Sequence, residues 1–317
     1  MILPDITHAI GDTPVVALDR ITRHLGLDGR LLMKLDYLLP GFSKKDRAAR
    51  AIIQSARIEG ALRPGQTVVE LTSGNMGTGL AIVCAVMGHP FVAVMSAGNS
   101  AERARMMQAL GAEVILVPQA PGARKGEVSG ADLALVEAAA QSITADRDAF
   151  RADQFRHPGN PAAHETGTGA EFWAQTQGAI TAFCDFVGSG GTLAGVARAL
   201  APKGVRCYAI EPAGAEAIGG GPTDRPEHPI QGGGYMMGDL AHLRDIDLAG
   251  SLAVTGAQAR DMSRLLARTE GIFAGYSAGA NLAGAAQLLR GPEKGGVVGL
   301  VACDSGLKYL STDLWSA

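Results

Sequence analysis

The sequence contains few features of a secreted, membrane-spanning or nucleic-acid-binding protein. Only four of its 317 residues are cysteines, and none forms a CxxC pair, which argues against a disulfide framework or a cysteine-based zinc site. No stretch reaches the roughly 18 apolar residues of a membrane span, and the start of the chain lacks the basic and apolar regions of a signal peptide. The net charge of −3 includes no basic patch, and the histidines show no metal-ligand spacing. We therefore expect a cytoplasmic protein that binds neither membranes, nucleic acid nor a metal.

Glycine, by contrast, is abundant, with 43 residues and no collagen-like period, which suggests many tight turns or backbone that approaches a ligand closely. Short β-like runs alternate with amphipathic helical stretches, and this alternation restarts after about Phe150. The pattern predicts an α/β fold of two lobes, with parallel sheets covered by helices on both faces. Such folds bind ligands at the carboxyl ends of their strands, often between lobes.

The segment Gly188-Ser189-Gly190-Gly191-Thr192 follows a predicted strand and opens a predicted helix. Its glycines allow backbone N–H groups to close on a compact anion, and the start of the helix adds a positive dipole end. The segment lacks the Gly-Lys-Ser/Thr of a Walker loop and the third glycine of a dinucleotide fingerprint. It is a candidate phosphate-binding loop, although a glycine-rich turn without a ligand remains an alternative.

A second segment, Thr72-Ser73-Gly74-Asn75-Met76-Gly77, also lies between a predicted strand and a predicted helix. Its hydroxyl groups, amide and N–H groups suit a carboxylate ligand, with ordinary helix capping by Thr72 or Ser73 as the alternative. Lys45, in the charged run at residues 43–47, is a candidate Schiff-base lysine, unless that run is merely solvated. The small residues around Ser277 allow a flat ligand to approach, or two helices to pack closely.

In this order and combination, the segments resemble the cysteine synthase family of fold-type II enzymes that depend on pyridoxal 5′-phosphate (PLP). The resemblance runs nearly end to end, from I-G-D-T-P at residues 10–14 to D-S-G-L-K-Y-L-S-T at residues 304–312. It implies two three-layer α/β/α lobes like those of the tryptophan synthase β-subunit, with the active site between them. Residues 1–40 and 150–317 would form a large PLP-binding lobe, and residues 41–149 a small mobile lobe. It also implies a homodimer.

The resemblance assigns a role to each candidate residue. Lys45 would be the Schiff-base lysine, Asn75 would bind the 3′-oxygen of the cofactor, and Ser277 would face its pyridine nitrogen. The phosphate would be held by Gly188, Ser189, Gly190, Gly191 and Thr192. The substrate would be bound by Thr72, Ser73, the backbone at Met76, Gln154, Gly232 and Tyr235.

The implied reaction is β-replacement on an O-activated serine or on cysteine through an aminoacrylate, with a small nucleophile as the second substrate. Two alternatives remain: β-elimination, as in serine/threonine ammonia-lyases or cysteine desulfhydrases, and a non-catalytic relative. Met76 and Ser189 stand where the family usually has threonine, and both replacements resemble plant-type β-cyanoalanine synthases. Asp185 and the pair Tyr235-Met236 depart further from the family pattern, so the sequence leaves the nucleophile undecided.

Overall fold

The computed structural model describes residues 2–72, 74–122, 130–225 and 227–316, so the predicted substrate residue Ser73 lies outside the described residues. The chain folds into two compact units. The first comprises Met1–Gly11 and Leu39–Asn160, and the second comprises Asp12–Leu38 and Pro161–Ala317.

These boundaries differ from the predicted ones at both ends of the first unit. Residues 1–11 belong to it because the guanidinium group of Arg50 donates hydrogen bonds to the carbonyl oxygens of Thr7 and Ile10. Residues 150–160 belong to it because Phe150 and Arg151 extend its sheet. The predicted mobility of a small lobe stays a prediction.

Within the described residues, strands and helices alternate along most of the chain. The strands β1 to β10 are Val15–Ala17, Arg30–Lys34, Val68–Leu71, Phe91–Ser96, Glu113–Val117, Phe150–Arg151, Ala182–Phe186, Arg206–Pro212, Gly250–Val254 and Val297–Val301. The helices α1 to α10 are Asp19–His24, Lys45–Ile58, Asn75–Met87, Ala101–Ala109, Gly130–Asp146, Gly159–Ala163, Ala170–Gln175, Gly191–Leu200, Gly256–Glu270 and Tyr276–Arg290. None of the described helices combines the length and the apolar character needed to cross a membrane.

The sheet of the first unit is parallel, with strand order β5-β4-β3-β6. Successive side chains of a strand point to opposite faces, and β3 shows this clearly. Val68 packs with the apolar residues of α2 and α3, whereas Val69 and Leu71 pack with Val136 and Ala140 of α5. Helices therefore cover both faces, as predicted, and the strands read as apolar runs because both faces are buried.

The sheet of the second unit has the order β1-β2-β10-β7-β8-β9. It is parallel except for β1, which pairs antiparallel with β2, so the expectation of purely parallel sheets is wrong at this edge. Cys184 and Phe186 of β7 join the core that includes α10. Phe183, immediately before Cys184, points the other way and meets Phe172 of α7 edge to face, with ring centroids 5.8 Å apart.

Most predicted elements are confirmed to within a few residues, but the helix predicted from Ala163 to Gln177 is interrupted. The segment His164–Gly169 is a π-helix between α6 and α7, a rare form that occurs mostly as short insertions, often at functional sites. Here it packs on α8, where a side chain at Gly195 would collide with Pro161 and Glu165. The short strands β1, β6 and β9 were not predicted, because two to five residues give too little periodicity.

Candidate active site

The charged run at residues 43–47 is buried rather than solvated. Lys45 is the half-buried first residue of α2, whereas Lys44, Asp46 and Arg47 are buried. The carboxylate of Asp46 accepts the N–H of Gly41 and so ties the preceding turn to the helix. Ser43 is fully buried, and its hydroxyl finds no hydrogen-bond partner in the described part of the chain. The solvated alternative is therefore wrong, and a polar group near Lys45 is available to a ligand.

The loop after β3 is organised by Thr72. Its Oγ1 accepts the backbone N–H groups of Gly74 and Gly77, each at 2.9 Å, and Gly77 lies in the first turn of α3. Thr72 therefore does cap the helix, as the alternative interpretation required, but accepting two bonds leaves the hydroxyl hydrogen able to donate. Asn75 is the first, partly exposed residue of α3. The side chain of Met76 is 2% exposed and packs in the apolar core of this unit, so only its backbone is suited to contact substrate.

Gln154 lies beside the same strand end. Its Nε2 donates to the carbonyl oxygen of Leu71 at 3.1 Å and to Oε1 of Glu70 at 3.3 Å. The backbone carbonyl oxygen of Gln154 accepts a hydrogen bond from the side-chain amide of Asn160. Because Leu71 immediately precedes Thr72, the structure brings two of the predicted carboxylate-binding residues to one strand end.

Glu70 was not singled out from the sequence, although a carboxylate inside the apolar run of β3 was a signal that could have been noticed. It is 0% exposed, and Nε of Arg151 lies 3.5 Å from its Oε2. Burial raises the pKa of Glu70 to about 7, and nearby Asp153 also raises it, against the opposing effects of Arg151 and Gln154. This carboxyl group therefore titrates near neutral pH.

In the second unit, the segment from Gly188 to Thr192 connects β7 to α8 as predicted. Gly190 has φ of +83°, a left-handed conformation that favours glycine. A Cβ atom at Gly188 would lie 2.5 Å from the carbonyl oxygen of Gly232, so the segment around Gly232 closes directly on this loop. The side chains of Ser189 and Thr192 are buried, and Oγ1 of Thr192 lies 3.3 Å from Nε2 of His164. The loop contains no carboxylate and ends at a helix start, which suits a phosphate group.

A small cavity adjoins this loop. Its lining includes Gly188, Gly234 and the partly exposed Tyr235. Met236 and Met237 complete the exposed side of the cavity. The unusual residues after Gln231 therefore do line a cavity within this unit, and they give it an apolar edge.

Ser277 is the second residue of α10 and is 7% exposed. Close helix packing, the alternative for this segment, is also present, since a side chain at Gly279 would collide with Ala259 and Ser263 of α9. One turn after Ser277, the fully buried Asn281 accepts the N–H of Phe186 and donates to Oδ1 of Asp185 at 3.1 Å and to the carbonyl oxygen of Val301 at 3.0 Å. Asn281, whose role the sequence did not reveal, thus joins the start of α10 to the strand that leads into the phosphate loop.

Comparison with known proteins agrees with this geometry. Residues 6–304 match the family model described as pyridoxal-phosphate dependent enzyme, and the chain belongs to this family. It is 38% identical to a cysteine synthase of Staphylococcus aureus over 318 residues, which cover 98% of this chain and 97% of that protein.

Solved structures give the same result. An O-ureido-L-serine synthase is 34% identical, with a TM-score of 0.86 over 100% of this chain and 96% of that chain. The O-acetylserine sulfhydrylase isoform 3 of Entamoeba histolytica is 31% identical, with a TM-score of 0.89 over 100% and 92% of the two chains. The chain is therefore a PLP-dependent enzyme with the α/β fold of the fold-type II class.

The described residues fit the cofactor. The carboxylate-free loop at residues 188–192 suits its phosphate, and Lys45 offers an amine for its aldehyde. The unpartnered hydroxyl of Ser43, two residues before Lys45, is the kind of buried polar atom that a bound ligand satisfies.

Proposed function

We propose that this chain catalyses β-replacement on an O-activated serine or on cysteine, in the manner of a cysteine synthase. The observation that carries the proposal is the burial of the helix start around Lys45, which marks this lysine as part of a site rather than of a solvated surface. The relatedness to a cysteine synthase, an O-acetylserine sulfhydrylase and an O-ureido-L-serine synthase supports the substrate class.

PLP, when bound, supplies an electron sink for the negative charge that develops at the substrate's α-carbon. The ε-amino group of Lys45 would hold the cofactor and, when free, would remove the α-proton as a general base. Because Lys45 begins a helix whose first turn is buried, its backbone is held in place between these tasks. The same amine can hand the proton back when the product forms.

The remaining residues orient the reactants. The hydroxyl of Thr72, the backbone at Met76 and the amide of Gln154 bind the substrate's carboxylate, together with Ser73. Asn75 binds the 3′-oxygen of the cofactor, and the N–H groups of the loop from Gly188 to Thr192 bind its phosphate.

The character of Ser277 favours loss of the β-substituent. A neutral hydroxyl, unlike a carboxylate, does not stabilise a proton on the pyridine nitrogen, so charge at the α-carbon is released promptly by expelling the leaving group. Gly232 and Tyr235 line the path of the nucleophile. The apolar edge formed by Tyr235 and Met236 is consistent with a nucleophile larger than sulfide.

The test is a product screen with the PLP-loaded protein. O-acetyl-L-serine, O-phospho-L-serine, L-serine and L-cysteine are each incubated with sulfide, cyanide or an amine, and products are identified by mass. We expect a β-substituted alanine from the wild type and from Lys44→Ala, and none from Lys45→Ala. Pyruvate and ammonia in place of any substituted product would show β-elimination instead. An unreactive wild type without bound PLP would reject the enzyme proposal.

The resemblance to the family also leads us to propose an oligomeric state and a cellular location. We expect a homodimer, which light scattering on the purified protein will show, and a cytoplasmic location, which fractionation of the source cells will test. A monomer at micromolar concentration would contradict the first expectation.

A further inference from the structure

Gln154 is held in an orientation that conflicts with its proposed task. A primary amide nitrogen has two hydrogens, and here acceptors on Glu70 and Leu71 lie at 3.3 Å and 3.1 Å from it. A substrate carboxylate needs a donor, and the other end of the amide, Oε1, can only accept. With Glu70 ionised, Gln154 therefore turns its donor end toward the protein.

Protonation of Glu70 removes this conflict. A neutral carboxyl group can donate its own hydrogen to Oε1 of Gln154, so the amide can rotate and direct its nitrogen to the substrate. The carbonyl oxygen of Leu71 then loses the hydrogen bond from Gln154 and accepts one from water instead. The main chain of Gln154 stays in place during this change, because Asn160 donates to its carbonyl oxygen at 2.7 Å.

We propose that Glu70 is a positioning residue whose protonation decides which end of the Gln154 amide is offered to the substrate's α-carboxylate. The inference rests on the proposed carboxylate-binding role of Gln154. It makes recognition of the amino-acid substrate strongest on the acid side and weaker as Glu70 ionises.

The surroundings of Glu70 set where this change occurs. Arg151 of β6 lies near its Oε2, but Arg151 donates its hydrogen bond to Glu137 of α5 at 2.8 Å instead. Asp153, after β6, adds a second negative charge nearby. The carboxyl group is thus buried beside one shared cation and one like charge, and its pKa of about 7 allows both protonation states to be populated near neutral pH.

The experiment compares two ligands that differ only in the carboxylate. L-Alanine has the α-carboxylate and no β-leaving group, and ethylamine is alanine without the carboxylate. Calorimetry gives the dissociation constant (Kd) of each for the PLP-loaded protein between pH 6 and pH 8. Both amines remain protonated over this range, so the ratio of the two Kd values isolates the carboxylate contribution. If only the form with neutral Glu70 binds the carboxylate well, the ratio Kd(alanine)/Kd(ethylamine) rises about tenfold from pH 6 to pH 8 for a group with a pKa of about 7.

The variant Glu70→Gln keeps the size of the side chain and cannot titrate, so its ratio should stay flat across this range. The matched control is Glu137→Gln, which removes the other carboxylate bound to Arg151. Because Arg151 is then free to pair with Glu70 and lower its pKa, the ratio should still rise with pH, with its midpoint moved to lower pH. Thermal unfolding of each variant shows that it is folded.

A flat ratio in the wild type, a slope retained in Glu70→Gln, or no binding of alanine at any pH overturns the proposal. A slope lost equally in Glu137→Gln also overturns it, because the effect would then come from Arg151. Failure of the β-replacement reaction is a separate result, since alanine binding requires no chemistry at the β-carbon.

Discussion

Replacement of Asn281 by alanine should destabilise the second unit strongly, although this residue touches no proposed ligand. Asn281 is 0% exposed, and its amide joins α10 to β7 and β10. In Asn281→Ala, the N–H of Phe186 loses its acceptor, and the carbonyl oxygen of Val301 loses a donor. The carboxylate of the buried Asp185 also loses one hydrogen bond.

The magnitude follows from these three losses. A buried donor or acceptor left without its partner costs about 1–3 kcal/mol, and a bond to a charged group lies at the upper end. Because the three bonds share one amide and the structure relaxes, the sum is less than additive. We expect a loss of about 3–5 kcal/mol in the free energy of unfolding, which corresponds to roughly 6–20 °C in melting temperature for a unit of this size.

Urea unfolding followed by circular dichroism measures this loss, with the two units fitted as separate transitions if the curve is not two-state. The control is Gln287→Ala on the same helix, where one partly buried bond to Ala253 is lost and a cost of about 1 kcal/mol is expected. A loss below about 1 kcal/mol in Asn281→Ala would refute the reasoning, because it would mean that the amide is replaced by water.

Three further predictions concern the site and the core. Met76→Thr should cost about 1–3 kcal/mol in the free energy of unfolding because Met76 is a core residue. It should leave the preference between sulfide and cyanide unchanged, because the side chain at this position is buried in the core and only the backbone is suited to contact substrate; a changed ratio of the two specificity constants would contradict this second part. The raised pKa of Glu70 means that the contribution of this one group to the stability of the first unit is most favourable below pH 4.5 and becomes less favourable as the pH rises to about 7. The free energy of unfolding of Glu70→Gln, measured in urea, should therefore increase relative to that of the wild type between pH 5 and pH 8, by up to about 3 kcal/mol. A difference between the two proteins that stays constant over this pH range would contradict the prediction. All four cysteines are buried and form no disulfide bond, and burial raises the pKa of Cys84 and of Cys207 to about 12. A thiol reagent at pH 8 should consequently label none in the native protein and four after denaturation, whereas rapid native labelling would show that the thiols are accessible.

Much of the fold could be predicted because its signals are local. The alternation of apolar strands with amphipathic helices identified both sheets, and the glycines that follow a strand were enough to locate the loop at Gly188–Thr192. The elements that escaped prediction have other causes. Strand β1 is three residues long, and the π-helix at His164–Gly169 arises where the chain packs on α8. The place of residues 1–11 in the first unit depends on hydrogen bonds from Arg50, which lies some 40 residues further along the chain.

The sequence by itself determined the class of the protein, because strand periodicity, helix starts and the order of short motifs are properties of neighbouring residues. It also determined which residue types are available for the chemistry. Only the tertiary structure decided how those residues are supported. It placed Glu70 against Gln154, Asn281 against Asp185, and Gly188 against Gly232, pairs that are separated by 84, 96 and 44 positions in the chain. Such contacts set the protonation, the hydrogen-bond direction and the burial of each group. These properties depend on which distant atoms displace water from the group, and no local sequence pattern encodes that.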